Sequence, residues 1–98
     1  MTVEKKQNGA SLTLVVEGRL DTTTAPELES VIGGAEGLEE LILDFSKLDY
    51  ISSAGLRVLL SAQKKMNKQG GSMKVTGVNE TVSEIFEVTG FSDILTIE

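Results

Sequence analysis

A chain of 98 residues has room for one small domain, so residues 1–98 are read as a single unit and a second domain is excluded. With 40% hydrophobic and 24% charged residues, the composition is globular rather than disordered or fibrous. Nine basic against fifteen acidic residues leave a net charge of −6, which argues against direct binding of nucleic acid or an anionic membrane.

Residues 3–6 predict an edge strand closed by Asn8-Gly9, a dipeptide suited to a tight hairpin turn with positive φ. Residues 12–17 are β-branched and apolar, and predict the returning strand. Gly18-Arg19-Leu20-Asp21 then leaves the sheet. Thr24 and Glu27 have the spacing of a capping box, and Pro26 fits the first turn of a helix whose apolar face is Leu28, Val31 and Ile32. Gly33-Gly34 ends that helix. Residues 41–45 form a nearly continuous apolar run, as expected of a strand covered on both faces and followed by a short loop.

From Ala54 the period becomes helical. Leu56, Leu59, Leu60, Gln63 and Met66 share one face, while Arg57, Ser61, Lys64, Lys65 and Lys68 fall mostly on the other. The lysines are read as a solvated face that complements the helix dipole, and Gly70-Gly71 stops the helix. Residues 73–76 predict another strand. Val82, Ile85, Phe86 and Thr89 mark a third helix ending at Gly90, with Phe86 and Phe91 assigned to the core, and residues 94–97 predict a last short strand. The order β-β-α-β-α-β-α-β implies an α/β fold: a mixed β-sheet with helices packed against it and one sheet face more exposed.

The chain contains no Cys and no His, which excludes disulfides, thiolate chemistry, the usual zinc sites and imidazole-dependent nucleophiles. No apolar run approaches the ~18–20 residues that span a bilayer, and residues 1–6 lack a signal peptide's apolar stretch. The expectation is a cytoplasmic protein without cofactor or resident metal. An enzyme using Asp44 or Asp49 with a metal ion is the remote alternative.

The informative stretch runs from Leu48 through Ile51-Ser52-Ser53-Ala54-Gly55-Leu56 into the best helix of the chain. Two hydroxyls at a helix start have two readings. Either they cap first-turn N–H groups, or the dipole at that end accommodates an added or bound phosphate. Ala54 and Gly55 keep the first turn small, leaving room for another protein to approach. A nucleophile elbow fails, since Ile51 stands where its first glycine belongs, and a P-loop fails for want of G-K-[ST].

This segment resembles the signature loop of the STAS domain family, in particular the bacterial anti-sigma factor antagonists. Gly18-Arg19-Leu20-Asp21, Leu43-Asp44-Phe45-Ser46, Gly70-Gly71 and Gly90-Phe91 match the family in the same order, so the likeness covers essentially the whole chain. The resemblance implies a binding protein, not an enzyme, whose partner is an anti-sigma factor that is also a serine kinase. Phosphorylation of a loop serine releases it, and a metal-dependent serine/threonine phosphatase resets it. The family loop commonly reads Asp-Ser-[Ser/Thr]-Gly-Leu. Aligning Gly55-Leu56 places Ser53 on the phosphorylated serine, Ala54 on the second hydroxyl, and Ser52 where Asp is usual, which makes Ser52 a second candidate acceptor. Asp21, Ser52, Ser53, Gly55 and Arg57 are the implied partner-facing residues, with Arg57 standing where a small Gly is common. A STAS sensor domain that binds a small anion or nucleotide at the Ser52-Ser53 helix N-terminus is the competing function.

Overall fold

The computed structural model describes residues 1–98. Its elements are β1 (Thr2–Asn8), β2 (Ser11–Leu20), α1 (Ala25–Gly33), β3 (Glu40–Ile51), α2 (Ser53–Lys68), β4 (Ser72–Thr76) and α3 (Glu80–Thr89), followed by a single 3-10 turn, Phe91–Asp93. The sheet has the order β1-β2-β3-β4, antiparallel at the hairpin and parallel at both later pairings. It is therefore the mixed sheet that the element order requires, with a crossover helix between each parallel pair.

Alternation decides which sheet face the helices cover. Leu12, Leu14, Val16, Leu41, Leu43, Phe45, Met73 and Val75 are buried, and they join Leu28, Ile32, Leu59, Met66, Val82 and Phe86 in one core. Apart from the buried Val15, the intervening positions Thr13, Ile42, Asp44, Lys74 and Thr76 remain accessible, so one sheet face is the more exposed, as expected, but β3 is not covered on both faces as its apolar run predicts. No helix is long and apolar enough to cross a membrane.

Several local expectations are corrected. Asn8 pairs with Ser11 inside the ladder, so the hairpin turn is Gly9-Ala10 rather than Asn8-Gly9. Only Gly9 has positive φ, at 62°, the pattern of a turn that needs glycine at its first central position alone. Residues 94–97 do not form a strand. Past the 3-10 turn, contact with β4 reduces to a parallel bridge between Val75 and Ile97. Two backbone bonds of 2.9 Å, Val75 N–H to Thr96 O and Glu98 N–H to Val75 O, hold it.

The capping box at α1 is also absent. Thr24 keeps near-helical dihedrals and its side chain caps nothing in α1, because Oγ1 is turned back toward Asp21, accepting from Asp21 N–H at 2.8 Å and donating to Arg19 O at 2.8 Å. Lys65 is not a purely solvated lysine. Its Nζ donates to Ile32 O at 3.0 Å and Ala35 O at 2.8 Å, satisfying carbonyls at the end of α1. That contact ties α2 to the C-terminus of α1.

The most consequential difference lies in β3. It continues past Phe45 to Ile51, alongside β2, with Arg19 opposite Tyr50 and Leu20 opposite Ile51. The expected loop between strand and helix shrinks to Ser52.

Candidate functional site

The C-terminal ends of β2 and β3 lie side by side, and α2 starts there. Ser52 is extended, with φ −98° and ψ 177°. Its N–H donates to Leu20 O at 2.9 Å, and its carbonyl accepts from Leu56 N–H at 2.9 Å. The first helical hydrogen bond thus fixes the direction of α2 against the end of β2. The hydroxyl takes no part in this. Ser52 Oγ is buried, caps no N–H and has no hydrogen-bond partner, which corrects the reading of Ser52 as a side-chain cap.

Ser53 is the first residue of α2 and is exposed. Of the two serines, it is the one whose hydroxyl faces solvent, at the positive end of a helix of 16 residues.

Gly55 faces inward rather than toward a partner. A Cβ there would lie 2.7 Å from Ile51 Cγ1, 2.8 Å from Leu20 Cγ and 3.0 Å from Leu20 O. Only glycine lets the first turn of α2 sit this close to both strand ends, so Gly55 positions Ser53 without presenting a surface of its own.

Asp21 terminates β2. Its N–H donates to Thr24 Oγ1 at 2.8 Å. Its Oδ1 accepts from Thr23 Oγ1 at 2.8 Å, Thr23 N–H at 3.0 Å and Thr24 N–H at 3.3 Å. The Thr23 hydroxyl bond first, and then the backbone donors, hold the Asp21 carboxyl below the usual carboxylate range. Arg19 Nε lies 3.9 Å from Asp21 Oδ2, and its guanidinium stacks 4.5 Å from the centre of the Tyr50 ring. Arg19 and Tyr50 were not singled out in the sequence. Their contact follows from the parallel register of β2 and β3, which apolar periodicity alone does not specify.

Two surface grooves flank the start of α2. One, of about 410 Å³, lies between α1 and α2 and includes Thr22, Pro26, Glu29, Ala54 and Arg57. The other, of about 310 Å³, lies between α2 and the end of α3 and is lined by Ser53, Leu56, Arg57, Leu60, Thr89 and Phe91. Arg57 is exposed and borders both. Phe91, assigned from sequence to the core, is only partly buried and forms one wall beside Ser53. Leu60 and Thr89 were also missed as site residues, since a helical period alone shows no groove between two helices.

Of the two aspartates considered for metal chemistry, Asp44 is partly exposed and accepts from Ser46 N–H at 3.0 Å, and Asp49 is exposed. The Ser46 bonds, aided by Lys6 and Lys47, hold Asp44 below the usual carboxylate range. No group of three or more acidic side chains converges on a common point.

Ser53 and Arg57 thus line one groove, and Asp21 follows the end of β2, against which the start of α2 packs through glycine. The STAS domain family model matches residues 2–98, and the chain belongs to that family. It is 33% identical over 98 residues to an anti-sigma-B factor antagonist of Bacillus subtilis, covering 99% of this chain and 90% of that one. Among solved structures, an anti-sigma factor antagonist from Mycobacterium paratuberculosis superposes with a TM-score of 0.87 at 26% identity, covering 98% of this chain and 83% of that one. The phosphorylated form of SpoIIAA, a Bacillus cell fate determinant, superposes with a TM-score of 0.78 at 15% identity over 99% of this chain and 91% of its own, a likeness of fold.

Proposed function

We propose that this protein is an anti-sigma factor antagonist, a cytoplasmic binding module switched by phosphorylation of Ser53. Unmodified, it binds an anti-sigma factor that also acts as a serine kinase. The observation that carries the reading is the exposed Ser53 hydroxyl at the head of α2, in a chain related along its length to an anti-sigma-B factor antagonist. The buried Ser52 hydroxyl makes Ser53 the better acceptor of the pair.

In the transfer step Ser53 Oγ attacks the γ-phosphorus of ATP held by the kinase. A new O–P bond forms, the bond to ADP breaks, and the hydroxyl proton passes to a base of the kinase. The product carries about −1.5 to −2 additional charges. At the helix N-terminus that charge is favourable by roughly 0.3–1 kcal/mol. At a docked surface it brings repulsion and desolvation, so the complex separates while the domain keeps its fold. A serine/threonine phosphatase then hydrolyses the phosphate and restores the binding form. Asp21 and Arg57 are partner-facing in this scheme, Ser52 sets the strand-to-helix step through its backbone, and Gly55 positions the helix.

Incubation with the cognate kinase and ATP, followed by peptide mass mapping, tests the acceptor. Phosphate on Ser53, absent in Ser53→Ala, is the expected result. Phosphate on Ser52 or elsewhere with Ser53 unmodified would contradict it.

A further inference from the structure

We propose that Arg57 is the in-chain partner of a phosphate on Ser53, a clamp that holds the modified group against α2 and lengthens the life of the phosphorylated state. This rests on the reading of Ser53 as the acceptor.

Ser53 and Arg57 are four residues apart on one helix, a spacing that brings Cβ atoms to about 5–6 Å. Helical side chains lean toward the N-terminus, so a long side chain at Arg57 covers the turn that carries Ser53. Both residues line the same groove, beside Leu56 and Phe91.

Arg57 is also uncommitted. The ion pairs of the chain are Arg19 with Asp21 and Lys74 with Glu98, and neither involves it. Glu29 borders the neighbouring groove without pairing to Arg57. The other cations of this region are engaged or remote. Arg19 is stacked on Tyr50, and Lys65 is bonded to the end of α1. Lys64 lies about 16 Å further along the axis from Ser53, at 1.5 Å per residue.

A guanidinium presents a planar fork of donors that matches phosphate oxygens two at a time. Once Ser53 is modified, Arg57 can swing back over the first turn and donate to the phosphate oxygens, at no loss of an existing ion pair. The dianionic form of the phosphate gains a fixed counter-charge, and a phosphatase has to displace the guanidinium before it can engage the phosphorus.

The test uses full-length protein with phosphoserine installed at position 53 during translation, so its outcome does not depend on which residue a kinase selects. Phosphorus NMR follows the second ionisation of the phosphate in the parent, Arg57→Ala, Arg57→Lys and Arg19→Ala forms. Glu29 and Asp21 are present in every form, and Arg19→Ala also frees Asp21 from its ion pair at 3.9 Å. The parent phosphate is expected to titrate about half a pH unit below that of Arg57→Ala, an approximately threefold change in ionisation ratio. Arg57→Lys should fall between them, and Arg19→Ala should match the parent. Hydrolysis by an added metal-dependent serine/threonine phosphatase should be several-fold faster for Arg57→Ala. Identical titration and hydrolysis of parent and Arg57→Ala would overturn the proposal, as would a shift lost in Arg19→Ala and kept in Arg57→Ala.

Discussion

A hydroxyl buried without a partner is destabilising, and Ser52 Oγ is one. A serine that caps a helix costs about 1 kcal/mol when replaced by alanine. Ser52 makes no such bond, so removing its oxygen also removes a desolvation penalty of about 1–3 kcal/mol. Ser52→Ala is therefore expected to leave stability unchanged or raise it by up to about 1 kcal/mol. Urea unfolding measures this directly, and a loss of about 1 kcal/mol would show that the hydroxyl caps α2 after all. Asp21 behaves in the opposite way, because its carboxylate is the form that Thr23 and Thr24 stabilise. Its carboxyl titrates lower in the folded chain than in the unfolded one, so the native state binds fewer protons in that interval. The stabilisation is fully present above about pH 4 and is lost as pH falls through the lowered folded value. Thermal melts between pH 7 and 2.5 should show a decline in melting temperature below pH 4, shallower in Asp21→Ala. An equal decline in both would mean that the Asp21 turn contributes nothing to acid sensitivity.

At the scale of elements, what could be read from the sequence depended on whether the signal was local. Apolar period and glycine placement located all three helices and the buried strands, because burial of one face is written into each of those segments, while the exposed β1 was marked only by the turn that follows it. Boundaries set by pairing were not visible in the same way. The second half of β3 reads as polar and irregular, yet it is a strand because β2 runs beside it as far as Leu20. Thr24 and Glu27 satisfy a capping pattern that the Asp21 turn overrides, since the Thr24 hydroxyl oxygen accepts from Asp21 N–H instead of from a first-turn N–H. Lys65 could not be distinguished from Lys64 and Lys68 by composition, since its partners Ile32 and Ala35 lie 33 and 30 residues away. That contact predicts a cost for Lys65→Met of about 1–2 kcal/mol, because two carbonyls lose a charged donor in a partly buried place. Amide exchange should quicken at the C-terminal turn of α1 before it changes elsewhere. Unchanged stability and exchange would show the contact to be energetically idle.

Across the whole molecule, the core and the proposed switch are carried by different parts. The core joins the helices to one sheet face, while the exposed serine, the carboxylate of Asp21 and the guanidinium of Arg57 stand at one end. The sequence made most of that end legible, since Ser53 and Arg57 lie on a well-marked helix and Asp21 follows a strand. Its walls were not legible: Leu60, Thr89 and Phe91 meet only once α2 and α3 are packed. In the proposed switch, a charge added at Ser53 meets solvent and the positive end of α2, with Arg57 lining the same groove, and no buried side chain has to move. The phosphorylated domain should consequently melt within a few degrees of the unmodified one, while its binding surface changes sign locally. The central claim is tested most directly by calorimetric titration of the cognate anti-sigma factor with unmodified and Ser53-phosphorylated protein at the same salt concentration. A loss of affinity of tenfold or more on phosphorylation, or about 1.4 kcal/mol, is the predicted result. Equal affinity of the two forms would contradict the account.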